Sequence, residues 1–171
     1  MAQSSDDSNR GPFLRFTLAL ATAVLLIGCS AKPTTTSANA DEASIRQTLA
    51  SLERRINQGD PGFVDVFDKD AVIIAPSAPD IVGFDAIRSM YGGLMEKAAM
   101  NVHFSTAEVV IAGDLAYERG TYTLRVTDKA SGLTLQDVKN KHVHIMRRQP
   151  DGSWKTWRMM VNSAGPALAS K

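Results

Sequence analysis

The sequence predicts an α+β domain in which two helices precede a four-stranded antiparallel meander. Apolar residues recur at helical spacing in 41–58 and again in 84–97, and from residue 101 onward the apolar period switches to two. The breaks between the later segments are short and each contains glycine, as hairpin turns do. Helices followed by long strands are typical of a domain whose helices pack on one face of a sheet.

The first helix is predicted over 41–58. Its apolar side chains step by four, three and four along one face, and they are Ile45, Leu49, Leu52 and Ile56. Ser44 has the spacing of a capping box with Gln47, and Asp41 is the alternative cap. Gly59 and Pro61 end the helix.

The remaining elements follow from turn residues and periodicity. A helical turn at 62–67 leads into a short strand at 71–75, and Pro76 and Pro79 predict a loop after it. A second helix is expected over 84–97, with a bend or break at Gly92-Gly93. The predicted meander consists of 101–112, 115–127, 133–148 and 153–162.

The N-terminal segment predicts export and lipid anchoring. Phe16 to Ile27 are uncharged, and a helix of that length rises roughly 18 Å, short of the about 30 Å of a bilayer core. With Arg10 and Arg15 ahead of this run, residues 1–28 read as a signal peptide. Leu26-Ile27-Gly28-Cys29 is similar to the lipobox of bacterial lipoproteins, in which the cysteine becomes the first mature residue and carries lipid. The alternative is an ordinary signal peptide with an incidental cysteine.

This reading divides the chain and predicts its location. Residues 29–40 form a lipidated cysteine and flexible tether, 41–164 the domain, and 165–171 a tail. The expected location is the bacterial cell envelope, at the outer membrane if the host has one. The net charge of +1 argues against a nucleic-acid partner, and the single cysteine against a disulfide.

Several segments resemble the nuclear-transport-factor-2-like superfamily, closest to its SnoaL-like group of polyketide cyclases and ketosteroid isomerase relatives. They are Gly83-Phe84-Asp85-Ala86-Ile87-Arg88, 115–122, 147–155 and Asn162-Ser163. The resemblance covers about 42–164. It implies a curved antiparallel sheet that wraps the helices into a cone with an apolar pocket for a small ligand. It also implies a homodimer formed through sheet faces, with Val143 and Ile145 as the apolar patch.

Ketosteroid isomerases use an Asp base and an oxyanion hole of a Tyr and a protonated Asp. By resemblance, the Tyr position falls at about Leu52, the base at about Ala75 and the protonated Asp near His144. Related branches place an Asp near Met159. These departures argue against isomerase activity of that type.

Strand alternation supplies the pocket candidates. Asn140, His142, His144 and Met146 share one face of their strand, and Glu118 and Tyr122 share one face of the preceding strand. If these faces point into the cone, the pocket candidates are Glu118, Tyr122, His142, His144 and Met146. The opposite assignment, with Val143 and Ile145 inward, stays open.

The sequence predicts no cofactor and no metal site. His142-x-His144 has the spacing of two ligands on a strand, but no motif places a third ligand, for which Glu118 and His103 are the candidates.

The leading functional hypothesis is a non-catalytic envelope lipoprotein that binds a small apolar or amphipathic ligand. The alternatives are a cyclase- or isomerase-like enzyme that uses His142 or His144 with Glu118, and a dimeric protein-interaction module.

Overall fold

The structure, a computed structural model, describes residues 35–165, with side chains from residue 38. Two helices, a 3₁₀ helix and six strands make up this part of the chain. In order they are α1 (Thr35–Gln58), the 3₁₀ helix (Pro61–Val66), β1 (Phe67–Ile74), β2 (Ile81–Val82), α2 (Phe84–Lys97), β3 (Ala98–Ala112), β4 (Leu115–Asp128), β5 (Thr134–Arg148) and β6 (Trp154–Ser163). The predicted α+β class is confirmed, and Cys29 and residues 166–171 lie outside the described residues.

The six strands form one curved sheet in the order β2-β1-β6-β5-β4-β3, and the sheet is not closed into a barrel. The antiparallel meander from β3 to β6 is confirmed. The sheet is mixed rather than wholly antiparallel, because β1 runs parallel to β6 with Ile73 opposite Met159. The loop predicted after Pro76 contains β2, which pairs with β1 as a short antiparallel strand.

Helix α1 begins at Thr35, six residues before the predicted start, so its first turns lie in the segment expected to be a tether. No proline or glycine separates residues 35–40 from the apolar repeat, which allows the helix to continue backwards. Asp41 therefore lies inside the helix and is not its cap. Its carboxylate instead accepts hydrogen bonds from Nη2 of Arg148 at 2.8 Å and from Nε1 of Trp154 at 3.3 Å.

The helices fill the concave side of the sheet. The larger core cluster joins α1, the 3₁₀ helix, α2 and the inner faces of β1, β3 and β6 through residues such as Leu52, Phe63, Ile87 and Met100. Helix α2 runs through Gly92-Gly93 without the break that the sequence suggested. None of the helices in the described part of the chain combines the length and apolar character needed to span a bilayer.

Candidate functional site

The even-numbered residues of β5 point into the cone. His142 and His144 are 3% and 0% exposed, whereas Val143 and Ile145 on the opposite face are 37% and 38% exposed. The side-chain direction that alternation left open is therefore inward for the histidines. Each buried ring has one nitrogen with a hydrogen-bond partner inside the protein and one without.

Glu118 and His142 form a buried pair across β4 and β5. Glu118 lies opposite His144 in the register, and Gly120 lies opposite His142, so Glu118 reaches His142 diagonally. Nε2 of His142 lies 2.9 Å from Oε2 of Glu118 and 3.1 Å from Oε1, and both side chains are fully buried. Burial raises the pKa of the Glu118 carboxyl, but the hydrogen bond with His142, the nearby His144 and the Thr106 hydroxyl together lower it below its usual value. The carboxylate is therefore ionised at neutral pH.

His144 completes this group, which we call the buried triad: Glu118, His142 and His144. Nδ1 of His144 lies 3.1 Å from Oγ1 of Thr156 on β6. Burial, followed by the neighbouring His142, lowers the pKa of His144 to about 4, so its ring is neutral at pH 7. Within the described residues, Nδ1 of His142 and Nε2 of His144 are buried nitrogens with no hydrogen-bond partner.

Phe104 on β3 separates the buried triad from a cavity. Its ring meets both histidine rings edge to face, with centroids 5.4 Å from His142 and 6.1 Å from His144. The same ring lines the cavity, whereas no member of the buried triad does so. Tyr122 also lines the cavity, and its ring centroid is 5.9 Å from that of His142, so two aromatic side chains join the cavity wall to the triad.

The cavity has a volume of about 270 Å³ and lies between the helices and the inner face of the sheet. Its lining is apolar except for the hydroxyl groups of Tyr91 and Tyr122, the only side-chain oxygen or nitrogen atoms among the described lining residues. Nδ2 of Asn140 donates to the Tyr122 hydroxyl at 2.9 Å. Burial raises the pKa of Tyr91 to about 12, helped by the nearby Tyr122, so both groups are neutral donors at pH 7.

Comparison with protein families gives a match over residues 45–157 to the model described as a SnoaL-like domain. The chain belongs to the SnoaL-like domain family. No curated protein matches its sequence.

Solved structures share the fold of this SnoaL-like chain. A ketosteroid isomerase-like protein from Erwinia carotovora atroseptica is 24% identical, with a TM-score of 0.65 over 75% of this chain and 99% of that chain. A nuclear transport factor 2 superfamily protein from Salmonella enterica serovar Typhimurium is 14% identical, with a TM-score of 0.67 over 78% and 98%. A protein named as a dehydratase of the same family, from Streptomyces avermitilis, is 16% identical, with a TM-score of 0.64 over 75% and 99%.

The positions that the resemblance equated with catalytic groups face the cavity of this SnoaL-like domain. Leu52, Ala75 and Met159 all line it, and none of them can transfer a proton. The position equated with the protonated Asp holds His144, which lies behind Phe104.

The five predicted pocket candidates occupy three places in the structure. Tyr122 lines the cavity, and Glu118, His142 and His144 form the buried triad. Met146 is fully buried in a second core cluster with Ile45, Ala116 and Trp154.

Three residues of the site were missed from sequence, because Tyr91, Phe104 and Thr156 belong to no motif. Met100, Val102 and Phe104 stand at every second position of β3 and so lie on the same inward face of the strand. This spacing was the one sequence signal that could have identified Phe104 as a site residue.

Proposed function

We propose that this SnoaL-like protein is a lipid-anchored envelope protein that binds a small, largely apolar molecule carrying one hydrogen-bonding oxygen. The observation that carries the proposal is the apolar cavity with two tyrosine hydroxyls. Apolar walls with a few placed polar groups are the usual composition of a small-molecule site. Anchoring through Cys29 and the envelope location are parts of the proposal that rest on the sequence alone.

The volume sets the size of the ligand. A cavity of about 150 Å³ holds one benzene ring, and the cavity here is about 270 Å³. A molecule of two fused rings therefore suits it. Because the Tyr122 oxygen already accepts a hydrogen bond from Asn140, its own proton is free for an oxygen of the ligand.

The apolar side chains at Leu52, Ala75 and Met159 support a role without catalysis of the isomerase type. A binder needs only shape, apolar surface and an orienting donor, and the cavity offers all three. Since the pocket is largely formed by the core, binding does not require refolding of a long segment.

The test compares 2-naphthol with naphthalene, two probes that differ by one hydroxyl. All described elements lie within the compact unit Pro33–Lys171, so a chain that begins at Pro33 keeps the whole core. Probe fluorescence with this chain should report binding of both compounds. Tyr122→Phe should weaken 2-naphthol binding by about 5–10-fold, as the loss of one hydrogen bond does, and leave naphthalene unchanged.

The matched control is Tyr117→Phe, since Tyr117 is an exposed tyrosine of the same strand that is bonded to Glu108 on the outer face. It should leave both affinities unchanged. The absence of binding by either probe to the folded chain would refute the cavity as a ligand site.

A second candidate function is that of an enzyme that removes a proton next to a carbonyl group. The observation in its favour is the Glu118–His142 pair, a carboxylate that orients an imidazole one side chain away from the cavity. The probe is 2-tetralone, a two-ring ketone with acidic protons, whose exchange with deuterated water can be followed by NMR. Exchange that is accelerated by the chain, lost in His142→Ala and retained in His103→Ala would favour the enzyme; no acceleration would leave binding alone.

A further inference from the structure

The buried triad brings three metal-binding groups together in the interior. One donor atom from each of Glu118, His142 and His144 lies within 4.8 Å of the others, and all three residues are buried. We propose that these residues bind a divalent first-row transition-metal ion, such as Zn²⁺. The proposal is independent of the cavity's ligand, because no residue of the triad lines the cavity.

The unpartnered Nε2 of His144 is the second observation that points to a ligand. Nδ1 of His142 and Nε2 of His144 are buried without a hydrogen-bond partner among the described residues. A buried polar atom without a partner costs about 1–3 kcal/mol, so such atoms are uncommon unless something binds them. A metal ion held by the triad would satisfy Nε2 of His144 directly.

Thr156 orients His144 for this role. Its hydroxyl oxygen lies 3.1 Å from Nδ1 of His144, on the side of the ring opposite Nε2. When Nδ1–H donates to Thr156, Nε2 carries the lone pair that a metal needs. An outer hydrogen bond of this kind, which sets the tautomer and direction of the ring, accompanies most metal-binding histidines.

The Glu118–His142 distance suits two ligands of one ion. Zinc binds imidazole nitrogen at about 2.0–2.1 Å and carboxylate oxygen at about 2.0–2.2 Å, which separates adjacent tetrahedral ligand atoms by about 3.3–3.5 Å. Nε2 of His142 and Oε2 of Glu118 are 2.9 Å apart, so the two side chains would need to separate by only a few tenths of an ångström to hold one ion. The ion would take the place of the proton that they now share, and that proton would leave to solvent.

The donor set also sets the class of metal. Two imidazoles and one carboxylate are ligands for zinc and other first-row transition ions, whereas calcium and magnesium prefer oxygen alone. Three protein ligands leave one position for water or another small ligand.

The remaining histidine provides a matched control. His103 has a side chain that is 67% exposed, and its Nδ1 pairs with Glu53 at 3.2 Å on the outside of β3. The chain contains three histidines, so His103→Gln removes the only one outside the triad.

The experiment loads the Pro33–Lys171 chain, without a histidine tag, by refolding it with Zn²⁺ or Co²⁺, because the site is buried. Metal content after gel filtration should be about one ion per chain. His144→Gln and Glu118→Gln should weaken Zn²⁺ affinity by more than about 100-fold, beyond what the loss of an outer partner costs, whereas His103→Gln should keep it.

The unmutated chain supplies a readout that does not depend on the folding of variants. Zn²⁺ should shift the ¹⁵N imidazole resonances of His142 and His144 and leave those of His103 in place. Bound Co²⁺ should give the visible absorption of a four-coordinate site. The proposal is overturned if the folded chain retains no metal, or if His103 is the histidine that responds.

Discussion

Nε2 of His142 lies within hydrogen-bond distance of both carboxylate oxygens of Glu118, at 3.1 Å from Oε1 and 2.9 Å from Oε2. Neither side chain reaches solvent, so each supplies a hydrogen bond that water would otherwise make with the other. Removal of one partner therefore exposes the full desolvation cost of the other.

Glu118→Ala is expected to lower the free energy of unfolding by about 3–5 kcal/mol, the usual cost of breaking a buried pair. Urea unfolding in the presence of EDTA measures this without any contribution from metal. The control is Glu108→Ala, since Glu108 pairs with Arg119 on the outer face of the sheet and is partly exposed; its loss should cost much less, because surface ion pairs are screened by solvent. If Glu118→Ala and Glu108→Ala lower the free energy of unfolding equally, the buried pair stabilises the fold no more than the surface pair does.

Gly120 permits a close approach of two strands. A Cβ atom at this position would lie 2.1 Å from the backbone oxygen of Ser105, next to the irregularity between Thr106 and Glu108. Gly120→Ala should destabilise the chain by about 1–3 kcal/mol or more, because strand β3 must move away. Gly92→Ala, in α2 with nothing within 4 Å of the new methyl group, should instead stabilise it by about 0.5–1 kcal/mol. Thermal unfolding of the two alanine variants checks both signs.

All three tyrosines should ionise above the ordinary range. Burial raises the pKa of Tyr91 to about 12, the hydrogen bond to Glu108 raises the pKa of Tyr117, and burial raises the pKa of Tyr122. The folded state therefore holds the phenol protons more tightly than the unfolded state, and stability is lost as pH rises above about 10. Ultraviolet titration of native and urea-unfolded protein should give a higher midpoint for the native form, and Tyr91→Phe should remove its most alkaline component. Superimposable curves would contradict the burial of these hydroxyls.

When the chain is expressed in a bacterium, Cys29→Ala should abolish incorporation of radiolabelled palmitate and prevent lipobox processing. Ser30→Ala, one residue further along the chain, is the matched control and should be labelled normally. A Cys29→Ala chain that still reaches membranes at the wild-type mature size would disprove lipid anchoring at this cysteine.

The outer face of the sheet is expected to form a dimer. Val143 lies beside Met160 and Ile145 beside Tyr117 in the register, and these four side chains are 36–53% exposed, so they make one apolar surface. Sedimentation of the Pro33–Lys171 chain should show a dimer, and Val143→Lys with Ile145→Lys should give a monomer. Val82→Lys, at an exposed valine on the short edge strand β2, should keep the dimer. A monomeric parent chain would remove this role from the surface.

Local signals predicted most of the elements but not their long-range pairing. The bounds of α2 matched the prediction, and the strands β3 to β6 began and ended within a few residues of the predicted ones, because periodicity and glycine turns are local properties. The parallel pairing of β1 with β6 was missed, since no turn connects them and the register depends on the assembled core. For the site, strand alternation predicted that Glu118 and His142 lie on the same side of the sheet. It did not predict whether that side faces the core, because both faces of β5 contain apolar residues.

The position of β6 has a consequence for biosynthesis. This strand is the last element of the domain to leave the ribosome, yet it lies between β5 and β1. Strand β1 therefore cannot pair with β6 until a segment about 85 residues further along the chain has been synthesised. The loop-closure entropy of that long-range contact delays completion of the sheet. Under the proposed export to the envelope, which requires an unfolded chain, this connectivity would keep the polypeptide unfolded until its final strand has been synthesised.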